Sequence, residues 1–579
     1  MSATDALDPS ISAKSRRRLG SNGLTAQIVI TIIAVLLIAT ALAPTLLQVF
    51  MDKPLYYPEA QFTLNNFVRI FTDPEIRATV GTTAVFTAIT VALSMFFGVG
   101  AAVLLARTDM PGKGILGSLV LWPLYLSPQV IGFGAIIAYG PTGIVTLLVE
   151  RWTGIDDPWN LYTITGMAVI TAIANAPITT LYCIVSARQQ DPNHDAAARI
   201  TGAGTLQILK RISLPLMRPA LIFAFIMNIA HAVETLAIPL IIGGPVNIDL
   251  LTTLIYKRSL QAGGTPDYGL SAAMAVMLVA FVGVLFLIQR LLLRKSFRFV
   301  GVGPKAGALR KLPLGPWKWA AFLAMTAYVF FAIVAIVGAV FLRSGTFIIT
   351  PLVPIMDAFT TQNYIDLFVV DAYRRAILNT IVLAILGAAL GTILIAAISF
   401  VAQRSDFVLR RWLDGLAQMP RVIPGLIVGL GVFYASVFVP GLSILRNSIW
   451  LLLIAYLIRF LSAGYGIVSP ALLQVTTDFD KAAKSVGAGW TVTVTRVLLP
   501  LQKHALLSCF VLLMILIVKD YSTAVFLMAP GSEVIGTSML SLWQQGFIGP
   551  VAALAVVQVL LTTILVAVAT RLFGVKLYG

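Results

Sequence analysis

The sequence predicts an all-α polytopic membrane protein made of two parallel six-helix repeats, about 12 transmembrane helices in all, and three observations predict it. Of 579 residues, 58% are hydrophobic and only 11% charged, a balance foreign to soluble domains of this length. The apolar residues gather into twelve runs, each near the ~20 residues a helix needs to cross a bilayer. The stretch Asp195–Leu221 recurs, shifted by 285 residues, as Asp480–Leu506, with 12 of 27 positions identical and no gap. A repeat of that length is the mark of a duplicated architecture.

Residues 1–24 are polar, with Lys14, Arg16, Arg17 and Arg18 ahead of the first apolar run at 24–50. That run is too long for a signal-peptide core and lacks a clear cleavage site, so it reads as an uncleaved helix. Further spans follow at 80–106, 115–140, 160–186, 215–243 and 269–292. The second set lies at 319–343, 375–402, 413–438, 447–471, 503–529 and 549–572. The organisation is therefore a tail (1–24), a first unit (25–292), a basic linker (293–318) with Gly301, Gly303, Pro304 and Gly307, and a second unit (319–579).

The net charge of +17 does not indicate nucleic acid, because the basic residues sit in short loops between apolar spans. With the N-terminus in the cytoplasm, most of the 41 Lys and Arg fall on the cytoplasmic side, among them Arg107, Lys113, Arg188, Lys210, Arg211, Arg294, Arg404, Arg410, Lys484 and Arg496. Such a bias sets topology, and it places both copies of the repeat in the cytoplasm. Six helices per unit is an even number, so the units share one orientation and are related by an axis along the membrane normal. They match elsewhere too. Arg107 follows the second span as Arg404 follows the eighth, and Pro123, Pro128, Gly132 and Gly134 parallel Pro420, Pro424, Gly429 and Gly431. The prolines break the third and ninth helices, either beside a pathway or as plain packing geometry. Cys183 and Cys509 lie in apolar runs, as small buried hydrophobes rather than a disulfide framework.

Each copy of the repeat has a local logic. A short helical run ends at a Gly-x-Gly (202–204 and 487–489), where glycine takes a positive φ cheaply and lets the chain turn. A second amphipathic run then reaches Pro215 or Pro500, where proline suits the first turn of the following helix. The expected product is a helix–turn–helix elbow at the membrane surface.

These elbows resemble the cytoplasmic loop of the permease subunits of ABC importers, whose signature is Glu-Ala-Ala, three residues, Gly, nine residues, Ile-x-Leu-Pro. The first copy carries Ala197, Ala198, Gly202, Ile212, Leu214 and Pro215; the second carries Ala482, Ala483, Gly487, Leu499 and Pro500, with Val497 for Ile. The signature Glu is replaced by Ala196 and Lys481, while Asp195 and Asp480 stand one residue earlier. The resemblance implies the type I importer fold and a coupling role for each elbow. It also implies ATPase subunits (a homodimer) docked below, an extracytoplasmic substrate-binding protein above, and a bacterial inner membrane around the chain. ATP would be bound by the partner, and this chain would carry no cofactor.

No catalytic constellation is present. His194, His231 and His504 are scattered, and the sequence has no HExxH, CxxC or GxxxxGK[ST], so neither a metal site nor a phosphate loop is predicted. The polar residues at membrane depth are His231 and Glu234 on one face of the fifth span, Lys519 and Asp520 in the eleventh, and Arg459 in the tenth, opposite Asn175–Pro177. Such groups are costly in lipid and face a cavity or a partner. They line the central pathway, or they pair structurally.

Two other classes compete. A proton-coupled carrier also has six plus six parallel helices, but has no evident need of a duplicated loop after the fourth helix, and a channel would need a filter or ring of charge. Within the importers, the whole chain resembles fused ferric-iron permeases, through Leu251–Tyr256, Asp267–Leu270 and Pro530–Ile535. Relatives importing thiamine, phosphonate, polyamine or sulfate share similar stretches. The membrane spans hold no oxygen-rich set suited to a hard ferric ion.

Overall fold

Apolar runs in a bilayer must satisfy every backbone donor and acceptor internally, and a helix does so within one segment. The computed structural model describes residues 9–260, 266–294, 311–350, 353–354 and 356–573; among them there is no β-sheet, only three isolated bridges. Most of the basic linker, 293–318, lies outside the described residues.

The first half runs α1 (Pro9–Val49), α2 (Pro74–Arg107), α3 (Lys113–Leu124), α4 (Pro128–Tyr139), α5 (Ile164–Arg188), α6 (Pro192–Ile200), α7 (Thr205–Leu216), α8 (Arg218–Glu234), α9 (Leu251–Leu260) and α10 (Tyr268–Leu293). The second half repeats the order. It comprises α11 (Trp317–Ser344), α12 (Asp371–Arg404), α13 (Arg410–Arg421), α14 (Gly425–Phe438), α15 (Ile449–Gln474), α16 (Asp478–Ser485), α17 (Trp490–Leu501), α18 (Lys503–Val518), α19 (Ile535–Gln544) and α20 (Ile548–Phe573). Among the described residues, nine helices are long and apolar enough to span, counting α4 with its continuation to Thr153 as one, and four further pairs are bent. Three bent pairs fall at the predicted fifth, ninth and eleventh spans, and the fourth, Pro239–Val246 with Leu251–Leu260, lies between the fifth and sixth.

Three predicted boundaries move furthest. The first helix extends back to Pro9, into the stretch read as a tail. The fifth and eleventh spans stop at Glu234 and Val518 rather than at 243 and 529. The residues beyond remain apolar, so composition overruns the break. Polar side chains make the break tolerable: Thr252 donates to the Thr235 carbonyl at 2.6 Å, and Gln558 to that of Val518 at 2.8 Å. Pro215 and Pro500 lie not at the start of the following helix but in the last turn of α7 and α17, after a π-helical turn in each. Proline has no N–H to close the regular ladder, and the chain bends by 69° and 75° just beyond.

The halves exchange their opening helices: α1 packs on α14 of the second half, and α11 on α4 of the first. The paired Gly-x-Gly motifs serve this crossing. A Cβ on Gly431 would lie 1.8 Å from the Ala41 carbonyl oxygen, and one on Gly134 would lie 2.8 Å from that of Ile336. Only glycine admits so close a backbone. Cys183 and Cys509 are buried free thiols.

Candidate functional site

The second elbow, α16–α17, lies against the N-terminal half of α1, where Gly23 meets Trp490; the first, α6–α7, holds the matching place in its own half. In each, a Schellman turn ends the first helix. Ala203 N–H donates to the Ala198 carbonyl and Gly202 N–H to that of Arg199, both at 3.0 Å, and Ala488 and Gly487 repeat the pattern on Ala483 and Lys484. The turn needs Gly202 and Gly487 at φ +83° and +80°. Of the remaining signature positions, Ala197 and Ala482 are exposed on the first helix, Ala198 is half-buried and Ala483 buried. Ile212 and Val497 sit in the π-turns, followed by Leu214–Pro215 and Leu499–Pro500.

The acid one residue before the missing Glu has a defined task. Asp195 accepts from one Arg107 guanidinium nitrogen with both oxygens, at 2.8 and 2.6 Å, and Ser213 Oγ accepts from the same nitrogen at 3.0 Å. The two side chains are 1% and 7% exposed. Asp480 takes Arg404 at 2.8 Å in the second half, with 5% and 22% exposure, and the Arg404 guanidinium also donates to the Leu472 and Val475 carbonyls. Each elbow is thus strapped to the foot of its own half's second span, α2 or α12. Sequence reading noted both arginines and both aspartates without joining them; their matched spacing in the two halves was the available signal.

Beside each turn an aliphatic side chain projects into the open: Ile200 is 88% exposed and Val486 82%. Sequence reading passed over both.

The elbows differ where Thr205 in one corresponds to Trp490 in the other. In the first half the end of the linker lies across the elbow. Leu312 N–H donates to the Arg107 carbonyl at 2.8 Å, and Thr205 Oγ1 donates to the Pro313 carbonyl at 2.8 Å. Leu312 is fully buried there. In the second half Trp490 Nε1 donates to the Arg404 carbonyl at 2.9 Å, in place of the linker N–H. The space beside it remains a cavity of about 710 Å³ bounded by Gln27, Asp406, Lys484 and Trp490.

The intramembrane residues gather at the helix breaks on the seam between halves. Glu234, the last residue of α8, accepts from His231 at 3.0 Å and faces Arg459 of the second half at 3.9 Å. Arg459 also donates to the Ile423 carbonyl at 2.8 Å, at the break between α13 and α14. Lys519 donates to the Leu124 carbonyl at 2.7 Å, at the corresponding break of the first half. Asp520 accepts from the Thr523 N–H at 3.1 Å and so caps the turn after α18. Glu234 thus faces Arg459 across the seam, while Lys519 and Asp520 bond freed backbone. Among the described residues, no group of three His, Cys, Asp or Glu could hold a metal ion.

Residues 29–298 and 393–574 match the family described as binding-protein-dependent transport system inner membrane component. The chain is 25% identical over 499 residues, 86% of its length, to 71% of a ferric transport system permease protein of Actinobacillus pleuropneumoniae. It is 26% identical over 43% of its length to 88% of a sulfate transport system permease protein of Synechocystis. A molybdenum transport system permease protein of Escherichia coli matches 28% of the chain at 29% identity, over 69% of that relative.

Proposed function

This chain belongs to the family of binding-protein-dependent transport system inner membrane components, and from that premise we propose that it is the fused permease of an importer carrying ferric iron. It is a membrane subunit and not an enzyme; ATP hydrolysis resides on a separate chain. Iron is favoured over sulfate or molybdate because the ferric permease matches 86% of the chain, both halves included, whereas the sulfate and molybdenum relatives match 43% and 28%.

The observation that carries the mechanism is the strapped elbow, present twice. An ATPase pair, docked from the cytoplasm over Ile200 and Val486, would move each elbow as a rigid lever. The Arg107–Asp195 and Arg404–Asp480 pairs would pass that movement into α2 and α12. The two halves would then rock about the seam at which Glu234, Arg459, Lys519 and Asp520 meet, opening it alternately to either side, with His231 beside Glu234. ATP drives this only by binding one state more tightly than the other. The excess of Lys and Arg at the elbow end supports a cytoplasmic N-terminus.

The test is ATPase activity of the chain reconstituted with its ATPase, with and without a binding protein loaded with ferric iron. Stimulation by the iron-loaded protein, reduced in Gly202→Ala and Gly487→Ala, is expected. Both glycines sit at positive φ with open space around them, so the substitutions act through backbone strain of about 1–2 kcal/mol each and not through a clash. Stimulation by a sulfate- or molybdate-loaded protein instead would keep the architecture and discard iron. Failure to bind any ATPase would discard the importer reading.

A further inference from the structure

We propose that Tyr56, Tyr57 and Tyr268 form an acceptor site for a ferric ion at the mouth of the seam, on the end of the molecule away from the elbows. The inference rests on the iron reading above. It follows from a juxtaposition that no single stretch of sequence contains. Tyr56 and Tyr57 lie in the loop between α1 and α2, and Tyr268 opens α10. The Tyr56 and Tyr57 rings are 4.9 Å apart, and Tyr56 meets the Tyr268 ring edge-on at 6.5 Å. The second half closes the cluster, with Phe438 stacked on Tyr56 at 6.4 Å and Arg446 over Phe433 at 6.0 Å. The three phenols therefore sit on the line where the halves part.

The fold does not require these tyrosines. The equivalent loop of the second half closes with the same bridge, Thr346 to Phe359 as Met51 to Phe62. It is pinned by the same contact: Asn363 donates to the Ser344 and Thr346 carbonyls as Asn66 does to those of Val49 and Met51. That loop, residues 345–361, contains no tyrosine, and Ile548 stands at the position matching Tyr268. Nor do the two loop rings behave as core: Tyr56 and Tyr57 are about half exposed, at 48% and 51%. Three tyrosine rings gathered at an accessible seam, with no structural counterpart, offer phenol oxygens, hard donors of the kind that suits a ferric ion over softer metals.

The chemistry is ligand exchange without redox change. As each oxygen bond from iron to its carrier breaks, a phenol O–H gives up its proton to solvent and a phenolate–iron bond forms. Iron remains ferric throughout. Proton release makes the affinity rise with pH. Arg446 favours both phenolates by its charge; of the charged groups on the neighbouring chain, Asp267 is paired with Arg69 at 2.7 Å and Lys53 with Glu59 at 3.0 Å. Burial and the neighbouring Tyr57 push the Tyr56 phenol up from its ordinary value, so metal, not pH alone, must displace its proton.

The experiment is titration of the full chain in nanodiscs with ferric nitrilotriacetate, read by the visible phenolate-to-iron charge-transfer band. A band is expected in the wild type, reduced in Tyr57→Phe and lost in Tyr56→Phe/Tyr268→Phe, with at least a tenfold loss of affinity in the double variant. Tyr162→Phe, on another loop, should leave it intact. Phe keeps each ring, so folding is preserved. A missing band, or one indifferent to these substitutions, overturns the site. If iron-driven transport by the wild-type chain persists in that case, only the site falls; if transport is also absent, the iron reading falls with it.

Discussion

Replacing Asp195 by Asn should loosen the first elbow far more than replacing Asp480 by Asn loosens the second. The Arg107 guanidinium is 1% exposed, and apart from Asp195 its side-chain partner among the described residues is Ser213 Oγ; among them its Nε has none. Removing the carboxylate leaves a buried charge uncompensated, which costs about 3–5 kcal/mol. At roughly 1.4 kcal/mol per decade, the opening equilibrium of the elbow should rise by about two to more than three orders of magnitude. Arg404 keeps the Leu472 and Val475 carbonyls, and Asp480 is 22% exposed, so its loss should cost about 1–3 kcal/mol. Hydrogen exchange over 192–208 and 478–490 measures both. A double replacement, Arg107→Met with Asp195→Leu, removes charge and counter-charge together and should recover most of the protection, because apolar substitutes for a buried pair are close to neutral. Unchanged protection in Asp195→Asn, or a double variant as open as the single one, would refute the strap.

Two further outcomes are expected. Gly431→Ala should destabilise more than Gly134→Ala, since its Cβ would meet the Ala41 carbonyl oxygen at 1.8 Å against 2.8 Å for that of Ile336; overpacking of this kind costs about 1–3 kcal/mol or more. Gly338→Ala, with nothing within 4 Å, is the control, and thermal unfolding in detergent ranks the three. Trp490→Phe removes the Nε1 bond to the Arg404 carbonyl while keeping most of the ring, and should cost about 0.5–1.5 kcal/mol. Exchange should rise at 405–407 and 487–490 and stay unchanged at 197–204, where the linker supplies the corresponding bond.

How much was legible in the sequence follows from which physical signal each feature leaves. The spans are written in composition, since lipid demands apolar side chains along their whole length, and the elbows are written in a duplicated glycine turn whose φ admits few alternatives. The Gly-x-Gly pairs at 132–134 and 429–431 were visible as a motif, but their purpose was not, because the helix that crosses each belongs to the other half. Breaks were legible where proline marks them, at 420–424, and invisible where polar side chains from a distant span carry the freed carbonyls, as Gln558 does for Val518. Pairing was the least legible. Glu234 could have stood alone or with a cation until Arg459 was placed 3.9 Å away.

The departure of the signature Glu in both copies is best understood through the same geometry. A repeat that retains Asp195 and Asp480 while its next residue drifts to Ala196 and Lys481 keeps what the strap requires, because the first of these positions points into the foot of the second span and the other into the open. Thr205 and Trp490 diverge by the same logic. Both answer one unsatisfied carbonyl neighbourhood at the end of the second span, Arg107 in one half and Arg404 in the other. The first half has a linker to lie across its elbow, and Thr205 only needs to hold it. Among the described residues no such segment lies across the second elbow, and its own indole fills the place. A duplicated element thus stays alike where the backbone must turn and where buried charge must be matched. It diverges where one long tether serves only one of the two copies.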